Sequence, residues 1–278
     1  YDTPMKPNKP PAPIGLAVCF FLATVVTNGN AESETKPEID TRMEKLEKLG
    51  KLPASQFSKI IDHSTSPNKR LAVAVGSKDG SKPVWHKTNH QGRVDVSEFS
   101  FVLEGDGSSA NYLINVQDDR VVGVLDGDYF GTRNKYNHAS YTALWSPASR
   151  WFVEQQQWKW STGPCTVHRM NAKGLPAGRI GLDSMAEKYV DEQLRKLSPE
   201  LTAQERKGYA IRMNVSGITN DGEFTVEIEA EAPKKLEEKY VFLELSITAK
   251  VEESNNGALS IRVARVSIPT AKPEQNDR

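Results

Sequence analysis

Hydrophobic and polar positions alternate with a period of two through the last third of the chain. Val241, Leu243, Leu245, Ile247, Ala249 and Val251 fall on one face of a run, and Glu244, Ser246, Thr248 and Lys250 fall on the other. A strand with this pattern buries one side and wets the other. The run from Tyr240 to Val251 is separated from its neighbour, Ala258 to Ile268, by Asn255-Asn256-Gly257. Tyr209 to Ser216 and Glu223 to Glu231 are separated by Thr219-Asn220-Asp221-Gly222. Asn-Gly and Asp-Gly between alternating runs predict two hairpins.

Upstream, the same period recurs in shorter pieces. Leu71 to Val75 is a compact apolar run, and Val84-Trp85 is a short strand candidate in a polar excursion. Val94 to Leu103 alternates at its start. Tyr112 to Val116 and Val121 to Leu125 flank the polar turn Gln117 to Arg120. Tyr141 to Trp145 and Arg150 to Gln155 flank Ser146-Pro147-Ala148-Ser149, and Thr166 to Met170 is a further strand candidate. Runs of this length bounded by turn residues predict hairpins.

Helical spacing appears in two places. Ile39, Met43, Leu46 and Leu49 predict a short amphipathic helix that ends near Gly50 and Pro53. Ala186, Tyr189, Val190, Leu194 and Leu197 form a second stripe behind a capping box, Ser184 to Glu187. Ser198 as N-cap with Pro199 at the first helical position predicts a further short helix to about Arg206.

The N-terminal pattern is different in kind. Lys6 and Lys9 precede a 13-residue apolar run, Ile14 to Val26, and Gly29 and Ala31 follow it. A basic start, a short apolar centre and small residues at the cleavage positions describe a secretory signal peptide. The run falls short of the roughly 20 residues that span a bilayer. The expected organisation is therefore a leader over 1–31, an N-terminal helix and linker over 32–65 and a β domain over 66–182. A helical connector over 183–207, C-terminal hairpins over 208–270 and a polar tail over 271–278 follow. The expected fold is mainly β: an antiparallel blade-like sheet resembling a partial β-propeller, the helical connector and a C-terminal antiparallel β-meander.

Charge narrows the partners. Lys plus Arg and Asp plus Glu both number 36, without a basic block, so nothing attracts the chain to nucleic acid. Once the leader with Cys19 is removed, Cys165 stands alone, and no intrachain disulfide is expected. No membrane span is expected after cleavage.

Two stretches look alike: Ser66-Pro67-Asn68-Lys69-Arg70-Leu71-Ala72-Val73 and Ser146-Pro147-Ala148-Ser149-Arg150-Trp151-Phe152-Val153. Trp145 precedes the second. Both resemble the Trp-Ser-Pro-Asp-Gly turn-and-strand motif of Tol-type and WD-like β-propeller blades. Tyr112 to Leu125 resembles the outer hairpin of a blade. The resemblance covers about Ser66 to Met170 and implies a blade-like meander. The Asp-Gly pair of that motif is replaced here by Asn68-Lys69 and by Ala148-Ser149. The arrangement is also similar to that of secreted bacterial proteins, and no activity follows from it.

The chemistry is sparse. No Gly-x-Ser-x-Gly elbow is present. Cys165 is expected to be a buried small thiol; the alternative, a nucleophile paired with His138 or His168, meets the difficulty that His168 lies three residues away on what reads as the same strand. Asp126-Gly127-Asp128 begins like a calcium loop, but Phe130 and Asn137 stand where two oxygen ligands belong. His86 and His90 are bracketed by Pro83 and Gly92 and read as loop histidines. No metal and no cofactor are expected.

Nine of the chain's 22 aromatic residues lie between Tyr129 and Trp160. Trp158 and Trp160 share a face, and exposed tryptophans offer platforms for sugars and anchors for proteins. The expected function is a non-catalytic binding module of the secreted or periplasmic space. Its protein or glycan ligand would be met by Tyr129, Tyr136, His138, Trp158 and Trp160. The alternative is a hydrolase-like enzyme using Asp126, Asp128 and His138.

Overall fold

The structure is a computed structural model that describes residue 44 and residues 46–82, 85–87, 101–103, 109–127, 139–158, 162–233 and 242–268. The chain is mainly β. β1 (Ser58–Ile60), β2 (Leu71–Ser77), β5 (Ser109–Asn115) and β6 (Arg120–Val124) form one four-stranded antiparallel sheet. β3 (Trp85–Lys87) pairs with β4 (Phe101–Leu103) in a small hairpin inserted between β2 and β5. β7 (Ala139–Trp145), β8 (Trp151–Trp158), β9 (Thr162–Met170) and β10 (Pro176–Gly181) form the second sheet. After the helices α1 (Asp183–Leu197) and α2 (Ala203–Lys207) comes the third. It contains β11 (Ala210–Ile218), β12 (Glu223–Glu231), β13 (Leu243–Glu253) and β14 (Leu259–Ser267). The second and third sheets are meanders in which neighbours in sequence are neighbours in space, the first is the same apart from the β3–β4 hairpin inserted between β2 and β5, and none of the three closes on itself.

One turn chemistry recurs. The tight hairpins end on a residue in the left-handed region: Lys69 at φ 57°, Asp119 at 50°, Ser149 at 57°, Gly174 at 77°, Gly222 at 79° and Gly257 at 84°. The N–H groups of Lys69, Ser149, Gly174, Gly222 and Gly257 each donate to the carbonyl three residues earlier. This is the geometry of a type I turn followed by a left-handed residue. Ser66 and Ser146 fasten their turns alike, accepting the N–H of Leu71 at 3.0 Å and of Trp151 at 3.0 Å through their hydroxyls. The turns also meet across sheets, where Asn68 N donates to Ser149 Oγ at 3.4 Å and Ala148 N to Asn220 Oδ1 at 2.7 Å.

The sheets stack face to face. β2 reads as an unbroken apolar run because both its faces are covered. Ala72 and Ala74, with Tyr112 and Ile114 of β5, lie under Leu49, Ala54 and Phe57 from the segment before β1. Leu71, Val73, Val75 and Leu113 face the second sheet and meet Phe152 and Met170. The opposite face of the second sheet offers Trp151, Val153, Cys165 and Val167 to a larger core. That core is shared with the inner face of the third sheet and with Met185, Ala186, Val190 and Leu194 of α1. Trp145 stacks on Phe152 at 4.6 Å and donates its indole N–H to Ser64 O, so Trp145 and Trp151 help to build the sheets.

The edge of the third sheet is joined to the second by side chains. The Gln155 amide donates to Met213 O at 2.7 Å and accepts from Val215 N at 2.9 Å, in the manner of a neighbouring strand's peptide group. Thr162 Oγ1 accepts from Met213 N, and Gln157 also donates to Met213 O.

The helix starts differ from expectation. α1 begins at Asp183 with Leu182 as its N-cap and without a side-chain cap, so Ser184 and Glu187 form no capping box. Leu182 N–H still bonds Cys165 O, which carries the β9 ladder one residue beyond β10 and feeds the chain directly into the helix. Ser198 closes α1 rather than opening the next helix. The capping box belongs to Thr202 and Glu205, and it opens α2.

Candidate functional site: a buried charged row between the first two sheets

The strand registers decide which side chains meet. Glu154 pairs with Thr166 and Phe152 with His168 across β8 and β9, and His168 pairs with Arg179 across β9 and β10. Glu154, Thr166, His168 and Arg179 therefore share one face of the second sheet, directed at the first. Into this face the chain inserts Asp126 and Gly127, just beyond the end of β6.

The contacts are dense. Glu154 is 0% exposed and His168 4%. Glu154 Oε1 accepts the Gly127 N–H at 2.5 Å, and Oε2 accepts the Asp126 N–H at 3.2 Å. His168 Nε2 lies 3.1 Å from Glu154 Oε2, and its ring stacks on Phe152 at 5.1 Å. The Arg179 guanidinium donates to both oxygens of Asp126, at 2.7 and 2.9 Å, and the Thr166 hydroxyl donates to Asp126 Oδ2 at 3.2 Å. Tyr141 of β7 and the wholly buried Asn111 of β5 adjoin the carboxylate. Gly127 is required by this crowding, since a Cβ there would lie 2.7 Å from Glu154 Oε1 and 2.8 Å from Tyr141 Cε2.

The field in this region is negative. Burial pushes the Tyr141 hydroxyl well above the ordinary phenol range, and the charges of Glu154 and Asp126 push it further. Burial likewise raises the Cys165 thiol far above its usual value, with Asp183 and Glu154 adding to the effect. Asp183, at the start of α1, is raised to about 6, first by burial and then by Glu187 and Asp126. Burial lowers Arg179.

Cys165 is the buried thiol expected of a lone cysteine. Cys165 belongs to the core under the third sheet, whereas His168 points at the first sheet, so alternation along β9 puts them on opposite faces. They cannot act as a nucleophile and its base. Of the other expected site residues, Asp126 lies in the charged row. Asp128, Tyr129, Tyr136, His138 and Trp160 lie outside the described residues. Trp158 closes β8, its backbone opposite Ala139 of β7. Glu154, Arg179 and Thr166 were not expected, nor was a site role for His168 facing Glu154. The legible sign was Glu154 itself, the single charged residue in the strand Trp151–Trp158.

Two chemical capacities follow. Asp126, Glu154 and His168 each offer a ligand atom, and these atoms lie within 4.8 Å of one another, so the trio has the composition of a cation site. Elsewhere, a groove of about 950 Å³ runs from Thr162 past Tyr189 of α1 and Tyr209 to Ile211 and Ile261 of the third sheet. Among the described residues, no helix is long and apolar enough to cross a membrane.

No protein-family model, no curated protein and no solved structure matches the chain.

Proposed function

We propose that the chain is a non-catalytic binding module of the secreted or periplasmic space, taking a protein or glycan ligand on the aromatic face of Tyr129, Tyr136, His138, Trp158 and Trp160. The observation that supports this is topological. In a meander the first and third turns fall at one end of a sheet, and here all the tight turns gather there, from Ser66 to Arg70 through Ser254 to Ala258. The connections 78–108, 125–138, 159–161 and 232–242 therefore start and finish at the opposite end. Binding residues concentrate on such loops because a rigid scaffold holds their ends. The β7–β8 register adds detail, because Ala139 opposite Trp158 brings the residue after His138 beside the strand that leads to Trp160.

The blade-like reading of the first two sheets belongs with this proposal. Each opens with a Ser-Pro turn of the same geometry, as a blade would. The stack they begin is covered at one face by Leu49 and Phe57 and at the other by the third sheet and α1, not by further blades. Of the residues of the hydrolase alternative, Asp126 bonds Arg179 and Thr166, and Asp128 and His138 lie outside the described residues. The leader carries the assignment of compartment.

The test is a glycan array and a peptide array probed with the chain from about residue 32, beside a Trp158→Ala/Trp160→Ala variant. Loss of a reproducible signal in the variant is the expected result. Unchanged binding removes this face from the proposal.

A further inference from the structure

We propose that Asp126, Glu154 and His168 bind one divalent transition-metal cation, with zinc the best chemical fit, where the first two sheets meet. The site does not depend on the aromatic face at the loop end, and either proposal can fail without the other.

Spacing is the first argument. Zinc holds imidazole nitrogen and carboxylate oxygen at about 2.0–2.2 Å, which sets two ligands of one ion about 3 Å apart. His168 Nε2 and Glu154 Oε2 are 3.1 Å apart. A cation can therefore take the place of the hydrogen between them, with the imidazole in the tautomer that carries its one proton on Nδ1. The Asp126 carboxylate lies within 4.8 Å of both and needs only a small inward movement of the Asp126-Gly127 turn.

Each ligand is also held from behind. The Gly127 N–H fixes Glu154 Oε1, Arg179 and Thr166 fix Asp126, and the stack on Phe152 fixes the plane of His168. Metal ligands are oriented by outer partners of this kind. One nitrogen with two oxygens suits zinc or manganese better than the all-oxygen shells of calcium.

Because Glu154 is wholly buried, the ion would be a clamp between sheets rather than a catalyst.

The experiment uses the whole secreted chain, stripped with a chelator and then given zinc or manganese at about 100 times the dissociation constant. One equivalent of metal by elemental analysis and a rise in Tm of about 5–10 °C are expected. Asp126→Asn and His168→Gln should each lose the rise, while His63→Gln and a His86→Gln/His90→Gln variant should keep it. X-ray absorption at the zinc edge should show a shell of nitrogen and oxygen scatterers with one imidazole and without sulfur, which decides the matter on the unaltered protein should His168→Gln fail to fold. The proposal is overturned if neither metal moves Tm, if Asp126→Asn or a folded His168→Gln keeps the full rise, or if sulfur is in the shell.

Discussion

At the scale of single residues, the turns show where the chain carries backbone strain. Lys69 and Ser149 occupy the left-handed region that favours glycine, and a side chain there costs about 1–2 kcal/mol relative to the right-handed region. Lys69→Gly is therefore expected to stabilise the protein by about 0.5–1 kcal/mol, after the greater freedom of glycine in the unfolded chain is subtracted. A higher urea midpoint at an unchanged slope is the reading that supports it. Gly127→Ala should act in the opposite direction, because its Cβ would meet Glu154 and Tyr141 in a packed site, and about 1–3 kcal/mol should be lost. Asp183 gives a pH prediction. Its folded-state carboxyl titrates near 6, above the unfolded value, so the folded chain binds the extra proton between about pH 4 and 6. Its contribution is favourable below that window and is lost as pH rises through it. The side chain reaches solvent, so the slope is shallow. Urea midpoints at pH 4, 5 and 6.5 should fall less with rising pH in Asp183→Asn than in the parent, and equal slopes would refute the assignment.

At the scale of elements, strand β8 has different tasks on its two faces. Trp151, Val153, Gln155 and Gln157 face the third sheet, and Phe152 and Glu154 face the first. Gln155 closes the exposed edge of β11 by offering it an amide. Gln155→Leu leaves the Val215 N–H without that partner and should cost about 1–3 kcal/mol. Gln155→Glu keeps the acceptor for Val215 but turns an oxygen towards Met213 O, and it should cost at least as much. Faster hydrogen exchange at the Val215 amide would locate the loss, and unaltered exchange would argue against the bridge. The same strand shows what was legible in the sequence. The hairpins were visible because Asn-Gly, Asp-Gly and Ser-Pro turns interrupt alternating runs, and local backbone preference suffices to read them. β10 was missed because Pro176, Gly178 and Gly181 give it no apolar alternation, and it exists through pairing with β9. The sequence pattern puts the N-cap of α1 at Ser184, two residues beyond Leu182, because the deciding bond is Leu182 N–H to Cys165 O, a tertiary contact. The charged row was hidden for the same reason. Asp126, Glu154, His168 and Arg179 are dispersed along the chain, and only the registers bring them together.

At the scale of the whole molecule, the stack depends on a small cover at its first face. Ala72, Ala74 and Ala110 are short side chains, and the space above them is filled from the other side by Leu49 and Phe57. Phe57 meets Tyr112 edge-on at 5.7 Å, which ties the cover to the sheet beneath, and within that sheet the Tyr112 hydroxyl donates to Ser77 O at 2.7 Å. Leu49 is wholly buried, in a segment whose backbone bonds reach the first sheet through Ala54 N to Asp119 O. Leu49→Ala should therefore open a cavity that the alanines opposite cannot fill, at a cost of about 2–5 kcal/mol. Ile60→Ala, at an exposed position three residues past Phe57, is the matched control and should cost far less. Both faces of the first two sheets are buried, so the layers should lose structure together. Tryptophan fluorescence and far-ultraviolet circular dichroism should then give coincident transitions in the parent chain and in Leu49→Ala. Equal costs for the two substitutions would mean that residues 46–57 are not the cover of the stack, and separated transitions would mean that the sheets fold as independent units.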